Sequence, residues 1–194
     1  MTVETRQDAA DKRMKQLLHY LDLAMNPKVG LETAVNNSAA ELLKSLDYDD
    51  ENCIAFIHHA IPFLICGQNL VAQTDLCIMD DNQILFLLQE DKRLTSMNDP
   101  EPQVIAKAIA AFALNNRKQE RKLNPPCDSI MLPCLTMVGT MPIIYKVTVT
   151  ATPSNAVQTG AYPEIETRVF RHIPGLPLRN SEGMRPLQNR LEIL

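Results

Sequence analysis

Several features that define large protein classes are missing from this 194-residue sequence. It has no tryptophan and only 5% aromatic residues, which counts against a sugar-stacking, lectin-like site. Its longest apolar stretches, residues 61–66 and 84–88, are far shorter than the roughly 20 residues of a membrane span. Residues 1–15 are polar and charged, without the apolar core of a secretory signal. We therefore expect a soluble intracellular protein, cytoplasmic or nuclear, with no membrane contact.

The cysteines also exclude two kinds of scaffold. There are five, an odd number, and they form neither a C-x-x-C pair nor a cluster with the four histidines. A disulfide framework and a zinc site are both disfavoured, and a reducing compartment fits. A chain of this length buries roughly 70% of its unfolded surface without such supports. We expect an α/β domain over residues 1–150, including an N-terminal helical segment, with a C-terminal arm, residues 151–194, packed on it.

The charge balance limits the partners. The net charge is −4 and the isoelectric point is about 5.6, which counts against a dedicated nucleic-acid coat, because sequence-independent phosphate binding needs clustered Lys and Arg. The charge is uneven, however. Basic residues concentrate in residues 116–122 and 168–190, and such strips can still bind a phosphate backbone.

Three helices follow from apolar spacing and capping residues. Residues 14–25 have helical periodicity. Asn37 or Ser38 is positioned to cap a second helix that runs to about Leu46. Asp99 precedes a third, alanine-rich helix that extends to about Asn116.

The strands are predicted from short apolar runs separated by turn residues. The first three are joined by short polar turns, which favours an antiparallel meander. Residues 84–88 are apolar on both faces, as in a central strand covered by helices on each side. Prolines after residue 152 predict an irregular arm. The predicted strands are residues 63–66, 70–79, 84–89, 130–138 and 143–150.

Three charged residues are predicted to converge on this sheet. Asp75 lies in one strand, and Glu90 and Lys92 lie at the end of the next, two residues apart and therefore on one face. Burying them is costly unless something binds, and Mg²⁺ or Mn²⁺ would be held by Asp75 and Glu90. Lys92 would orient the attacking water and stabilise the phosphate. Gln103, one turn into the following helix, could position a water or a phosphate.

This arrangement resembles the PD-(D/E)XK superfamily of nucleases, whose signature is an acid, a hairpin and then (D/E)-x-K on the next strand. Thr74 stands where the signature has proline before the acid. The resemblance implies a restriction-endonuclease-like fold: a central mixed sheet flanked by helices in the order α-β-β-β-α-β. Some branches use a further acid from the helix before the sheet, and Glu41 holds the matching position. The sequence motifs Q-E-D-K, M-V-G-T and E-G-M-R-P-L resemble those of a group of uncharacterised proteins of mushroom-forming fungi.

The sequence therefore predicts a metal-dependent phosphodiesterase that hydrolyses DNA, with RNA as the less favoured substrate. The alternative is a catalytically silent nuclease-like fold that acts as a binding or interaction module in an effector or defence role. The intact set Asp75, Glu90 and Lys92 favours the enzyme, and the acidic isoelectric point favours the module. A homodimer is left open, and a lectin-like or structural protein is the third possibility.

Overall fold

A computed structural model gives the fold of the chain. It describes residues 3–26, 34–48, 52–80, 83–90 and 99–194, with the backbone alone for residues 3–11 and 90. The chain contains both helices and strands, as in a mixed α/β protein. The helices are α1 (Val3–Met25), α2 (Ala34–Ser45), α3 (Glu101–Arg121), α4 (Ala151–Thr159) and α5 (Leu187–Ile193). The strands are β1 (Cys53–Ile57), β2 (Ala60–Ile65), β3 (Gln68–Gln73), β4 (Leu76–Asp80), β5 (Gln83–Glu90), β6 (Ser129–Val138), β7 (Met141–Thr150) and β8 (Val169–His172).

The central sheet has six strands within the described residues, in the order β1-β4-β5-β6-β7-β8. The β5–β6 pair is parallel, and the other neighbours are antiparallel. A parallel pair needs a crossover connection, and α3 provides it between β5 and β6. The predicted class, α/β with a central mixed sheet flanked by helices, is confirmed at this level.

Each face of the sheet has its own apolar core, because side chains alternate along the strands. On one face α3 packs its Ala108, Ile109 and Phe112 against Leu87 and other strand residues, so a helix covers this face of the predicted central strand. On the opposite face α1 and α2 cover a cluster that includes Leu88. The sheet is thus the middle layer between helices.

The predicted three-stranded meander is wrong in detail. Residues 70–79 are two strands, β3 and β4, separated by Thr74 and Asp75. β3 pairs with β2 in a separate hairpin, whereas β4 pairs with β1, an edge strand that the sequence did not reveal, and with β5. The cause is a bend: the Thr74 N–H donates to the His59 carbonyl, and the His58 N–H donates to the Asp75 carbonyl. His58, directly after β1, has a φ of 56°, and the chain turns there from the central sheet towards β2.

Two helix boundaries also need correction. α2 begins at Ala34, so Asn37 and Ser38 lie inside the helix instead of capping it. The Ser38 hydroxyl donates to the Val35 carbonyl at 2.7 Å, a bond back to the preceding turn that lets serine remain in a helix. α3 continues five residues beyond the predicted end, to Arg121.

The C-terminal arm is more regular than its prolines predicted. It contributes α4, the edge strand β8, a short 3-10 helix (Asn180–Glu182) and α5. The helices avoid the proline problem because Pro153 occupies the first turn of α4 and Pro186 precedes α5. No helix in the described part of the chain has the length and apolar composition needed to cross a membrane.

Candidate functional site

Asp75 lies where the chain bends out of the sheet, directly before β4. Leu76 pairs with Leu88 near the end of β5, so the predicted acid stands beside the last residues of β5. The Asp75 side chain is 20% exposed. A carboxylate is therefore held at the sheet end with limited access to solvent.

A lysine from α3 faces this carboxylate. Lys107 Nζ lies 3.9 Å from Asp75 Oδ2 and donates a hydrogen bond to Gln89 Oε1 on β5. The separation from Asp75 exceeds hydrogen-bond length, so this part of the contact is electrostatic. One cation thus joins α3 to the two neighbouring strand ends.

Burial dominates the electrostatics of Lys107. Its side chain is 12% exposed, and this desolvation lowers the pKa of the ammonium, while the Asp75 carboxylate partly raises it again. A buried charge is costly unless it is paired and hydrogen-bonded. Asp75 and Gln89 supply that compensation.

Thr136 of β6 extends the polar row across a third strand. Its Cα is register-paired with Gln89, and alternation with Leu132 and Cys134 places it on the α3 face. The side chain is fully buried, and its hydroxyl has no hydrogen-bond partner within the described residues. The α3 face therefore carries a polar row that crosses β4, β5 and β6 at one end.

The other residues predicted for the site are carried by α3, by α2 and by the segment that begins at the end of β5. Gln103 is exposed in the first turn of α3, one turn before Lys107 and on the same side of the helix. Glu41 is half-buried on α2, whose apolar residues pack against the opposite face of the sheet. Glu90 ends β5 with its backbone paired to Met137. The Glu90 side chain and all of Lys92 lie outside the described residues, so their convergence with Asp75 stays a prediction.

Comparisons with known proteins do not extend this picture. No protein-family model, curated protein or solved structure matches the chain. The arguments for function therefore rest on the residues and their geometry.

The predicted divalent metal can be tested against the donor atoms at this position. Among the described residues, no group of three or more His, Cys, Asp or Glu side chains is arranged to hold a metal ion. Within the described part of the polar row, Asp75 supplies a carboxylate with partial solvent access, and Mg²⁺ is commonly held by one or two carboxylates with water completing its shell. Asp75 fits as one such ligand.

Lys107, Gln89 and Thr136 were missed by sequence reasoning. The available signal was a lysine within the alanine-rich face of α3, three residues after buried Val104 and beside buried Ala108. A cation among buried positions needs a partner, which marks it for attention. Its partners could not be predicted, because they depend on where α3 crosses the sheet.

Proposed function

We propose that this protein is a metal-dependent phosphodiesterase that hydrolyses DNA, with RNA as the less favoured substrate. The observation that carries the proposal is the location of Asp75 beside the end of β5, the strand that leads into Glu90, Asp91 and Lys92. An acid next to a strand that ends in (D/E)-x-K is the pattern of the PD-(D/E)XK superfamily.

The element order supports the same proposal. Helix α2 is followed by three strands of the central sheet, β1, β4 and β5, then by α3 and β6. This is the α-β-β-β-α-β order of the restriction-endonuclease-like fold, with the β2–β3 hairpin as an addition. Helices cover both faces of the sheet. We propose that fold for the chain.

The chemistry would be divided among residues at this end of the sheet. Asp75 and Glu90 would hold Mg²⁺ or Mn²⁺, and the bound metal would supply Lewis acidity and charge neutralisation. Lys92 would orient the attacking water and stabilise the phosphate oxygens. Gln103, exposed one turn above Lys107, would position the substrate phosphate, and Glu41 would be a further acid from α2.

A silent nuclease-like binding module is the second candidate. The observation that favours it is the charge balance around Asp75, whose carboxylate already has a cation, Lys107, at 3.9 Å. The net charge of −4 also disfavours tight nonspecific binding of nucleic acid.

Metal-dependent cleavage distinguishes the two candidates. The purified chain should cut plasmid, single-stranded DNA or RNA with added Mg²⁺ or Mn²⁺, and EDTA should stop it. Glu90→Gln keeps the shape but removes the charge that a hard cation requires, so metal binding and cleavage should both collapse. Lys92→Ala should retain metal binding and lower the cleavage rate by about a hundredfold or more.

Matched controls separate these effects from a general loss of charge. Glu192→Gln and Lys12→Ala change exposed residues on α5 and α1 and should leave cleavage unchanged. If calorimetry detects no Mg²⁺ or Mn²⁺ binding and all variants show equal background cleavage, the enzyme proposal is wrong and the binding module is preferred.

A further inference from the structure

Lys107 has more potential acceptors than it uses at one time. An ammonium carries three donors, and one bonds Gln89 Oε1. The Asp75 carboxylate, at 3.9 Å, is a charge partner beyond hydrogen-bond reach. Lys107 is thus anchored to β5 through Gln89 while it balances the charge of Asp75.

Thr136 provides an alternative acceptor on the other side of Gln89. Its fully buried hydroxyl has no hydrogen-bond partner among the residues that the structure describes. A buried hydroxyl without a hydrogen-bond partner lowers the stability of the folded state, and a valine side chain has nearly the same shape without that cost. A threonine at this place is accounted for if the ammonium of Lys107 turns towards it in another state of the site.

We propose that Lys107 is the resident cation of the Asp75 site, which a divalent cation displaces from Asp75 towards Thr136. The inference rests on the metal-dependent function proposed above and adds a control of its metal affinity. Two positive charges beside one carboxylate repel each other strongly in a partly buried site. Thr136 lies on β6, on the other side of Gln89 from Asp75, so an ammonium that turns towards Thr136 moves away from Asp75 and the distance between the charges increases.

The first test removes the resident charge. Lys107→Met keeps the length and apolar stem of the side chain, so α3 keeps its packing. The variant removes the ammonium that competes with the metal ion for Asp75. Calorimetric titration with Mn²⁺ alone should show affinity on the order of tenfold tighter than wild type. The rise in melting temperature on adding Mn²⁺ should also be larger. Lys12→Met changes an exposed lysine of α1; it is the matched control and should behave like wild type.

The second test removes the alternative acceptor. Thr136→Val should weaken Mn²⁺ binding severalfold, because the ammonium then loses the Thr136 hydroxyl as an acceptor and stays beside Asp75. Its control is Thr167→Val, an exposed threonine far along the chain. In the double variant Lys107→Met/Thr136→Val, the affinity should equal that of Lys107→Met alone, since the hydroxyl matters only when the ammonium is present.

The outcomes separate this inference from the proposed function. Equal or weaker Mn²⁺ affinity in folded Lys107→Met overturns the resident-cation assignment. If Lys107→Met binds Mn²⁺ and wild type does not, Lys107 blocks the Asp75 site, and both its displacement by the metal and the proposed metal-dependent activity of wild type are wrong. If neither binds, both fail. Should Lys107→Met not fold by circular dichroism, Thr136→Val decides, and an affinity equal to wild type overturns the assignment.

Discussion

The thiol of Cys134 illustrates how burial alone changes the chemistry of a residue. It is 1% exposed on β6, and burial raises its pKa from 9.0 to about 12. In the unfolded chain the thiol ionises near pH 9, whereas in the folded chain it stays protonated to about pH 12. Between these values the unfolded state binds fewer protons, so stability falls as pH rises.

We therefore predict that Cys134 causes part of the loss of stability in alkali. Each pH unit between 9 and 12 should cost about 1.4 kcal/mol of unfolding free energy through this one thiol. Urea unfolding at several pH values should show a shallower decline for Cys134→Ala, whatever the pH-independent effect of the smaller side chain. Cys127→Ala changes an exposed thiol and serves as the control. Parallel profiles for wild type and Cys134→Ala would contradict the prediction.

The candidate site was only partly predictable at the level of residues. Asp75 was recognisable because an acid, a turn and (D/E)-x-K form a local pattern. The hairpin of β4 and β5 then predicts that Asp75 lies beside the end of β5. Lys107 follows Asp75 by more than thirty residues in the sequence and lies on a different element, α3. Its contacts with Asp75 and Gln89 depend on the crossing of α3 over the sheet, which no local pattern specifies.

Among the elements, α3 is attached to its surroundings through two consecutive asparagines. Asn115 Oδ1 accepts the Ile84 N–H at 2.8 Å, and its Nδ2 donates to the Ile84 carbonyl at 2.9 Å. Asn116 makes the same pair of bonds to the backbone of Cys127, at 2.9 Å each. The Asn115 bonds are buried and the Asn116 bonds are exposed, so the two residues allow the same hydrogen-bond pair to be compared in buried and exposed surroundings.

We predict very different costs for removing the two side chains. Asn115→Ala leaves a buried N–H and a buried carbonyl of Ile84 without these bonds, and the free energy of unfolding should fall by about 2–4 kcal/mol. Asn116→Ala should cost less than about 1 kcal/mol, because water replaces its exposed bonds. Denaturant unfolding measures both. Equal losses of unfolding free energy in the two variants would mean that burial does not determine how much these paired asparagine hydrogen bonds stabilise the fold.

The same asparagines explain one limit of sequence prediction. Asparagine is common at helix ends, and the sequence predicts that α3 ends near Asn116. Both asparagine side chains instead bond to neighbouring backbone, and the helix continues to Arg121. The long amphipathic α3 and the hairpin of β6 and β7 were predictable from local periodicity. The bend at Thr74 was not, because it depends on hydrogen bonds to residues fifteen or more positions away.

Over the whole molecule, the C-terminal arm is fastened to the turn between β6 and β7. The Met184 N–H donates to the buried Thr140 hydroxyl at 3.0 Å, and Met184 itself is 1% exposed. Fully buried Asn189 braces the segment by accepting from the Leu178 N–H and donating to the Gly183 carbonyl. Met184 also joins the apolar core beneath α1 and α2. The arm therefore completes one face of the sheet.

Gly183 is the point at which this attachment can be tested with a single methyl group. Its φ is 50°, and an added Cβ would lie 2.9 Å from the Thr140 carbonyl carbon and closer still to the Thr140 hydroxyl. Gly183→Ala should lower the free energy of unfolding by at least about 2 kcal/mol, because the backbone strain at positive φ adds to the steric clash with Thr140. Tryptic cleavage near Arg179 should also become faster. Gly175→Ala, with nothing within 4 Å of its added Cβ, should change stability by less than about 0.5 kcal/mol. If Gly183→Ala matches that control in urea midpoint and cleavage rate, the arm does not contribute to the core as described.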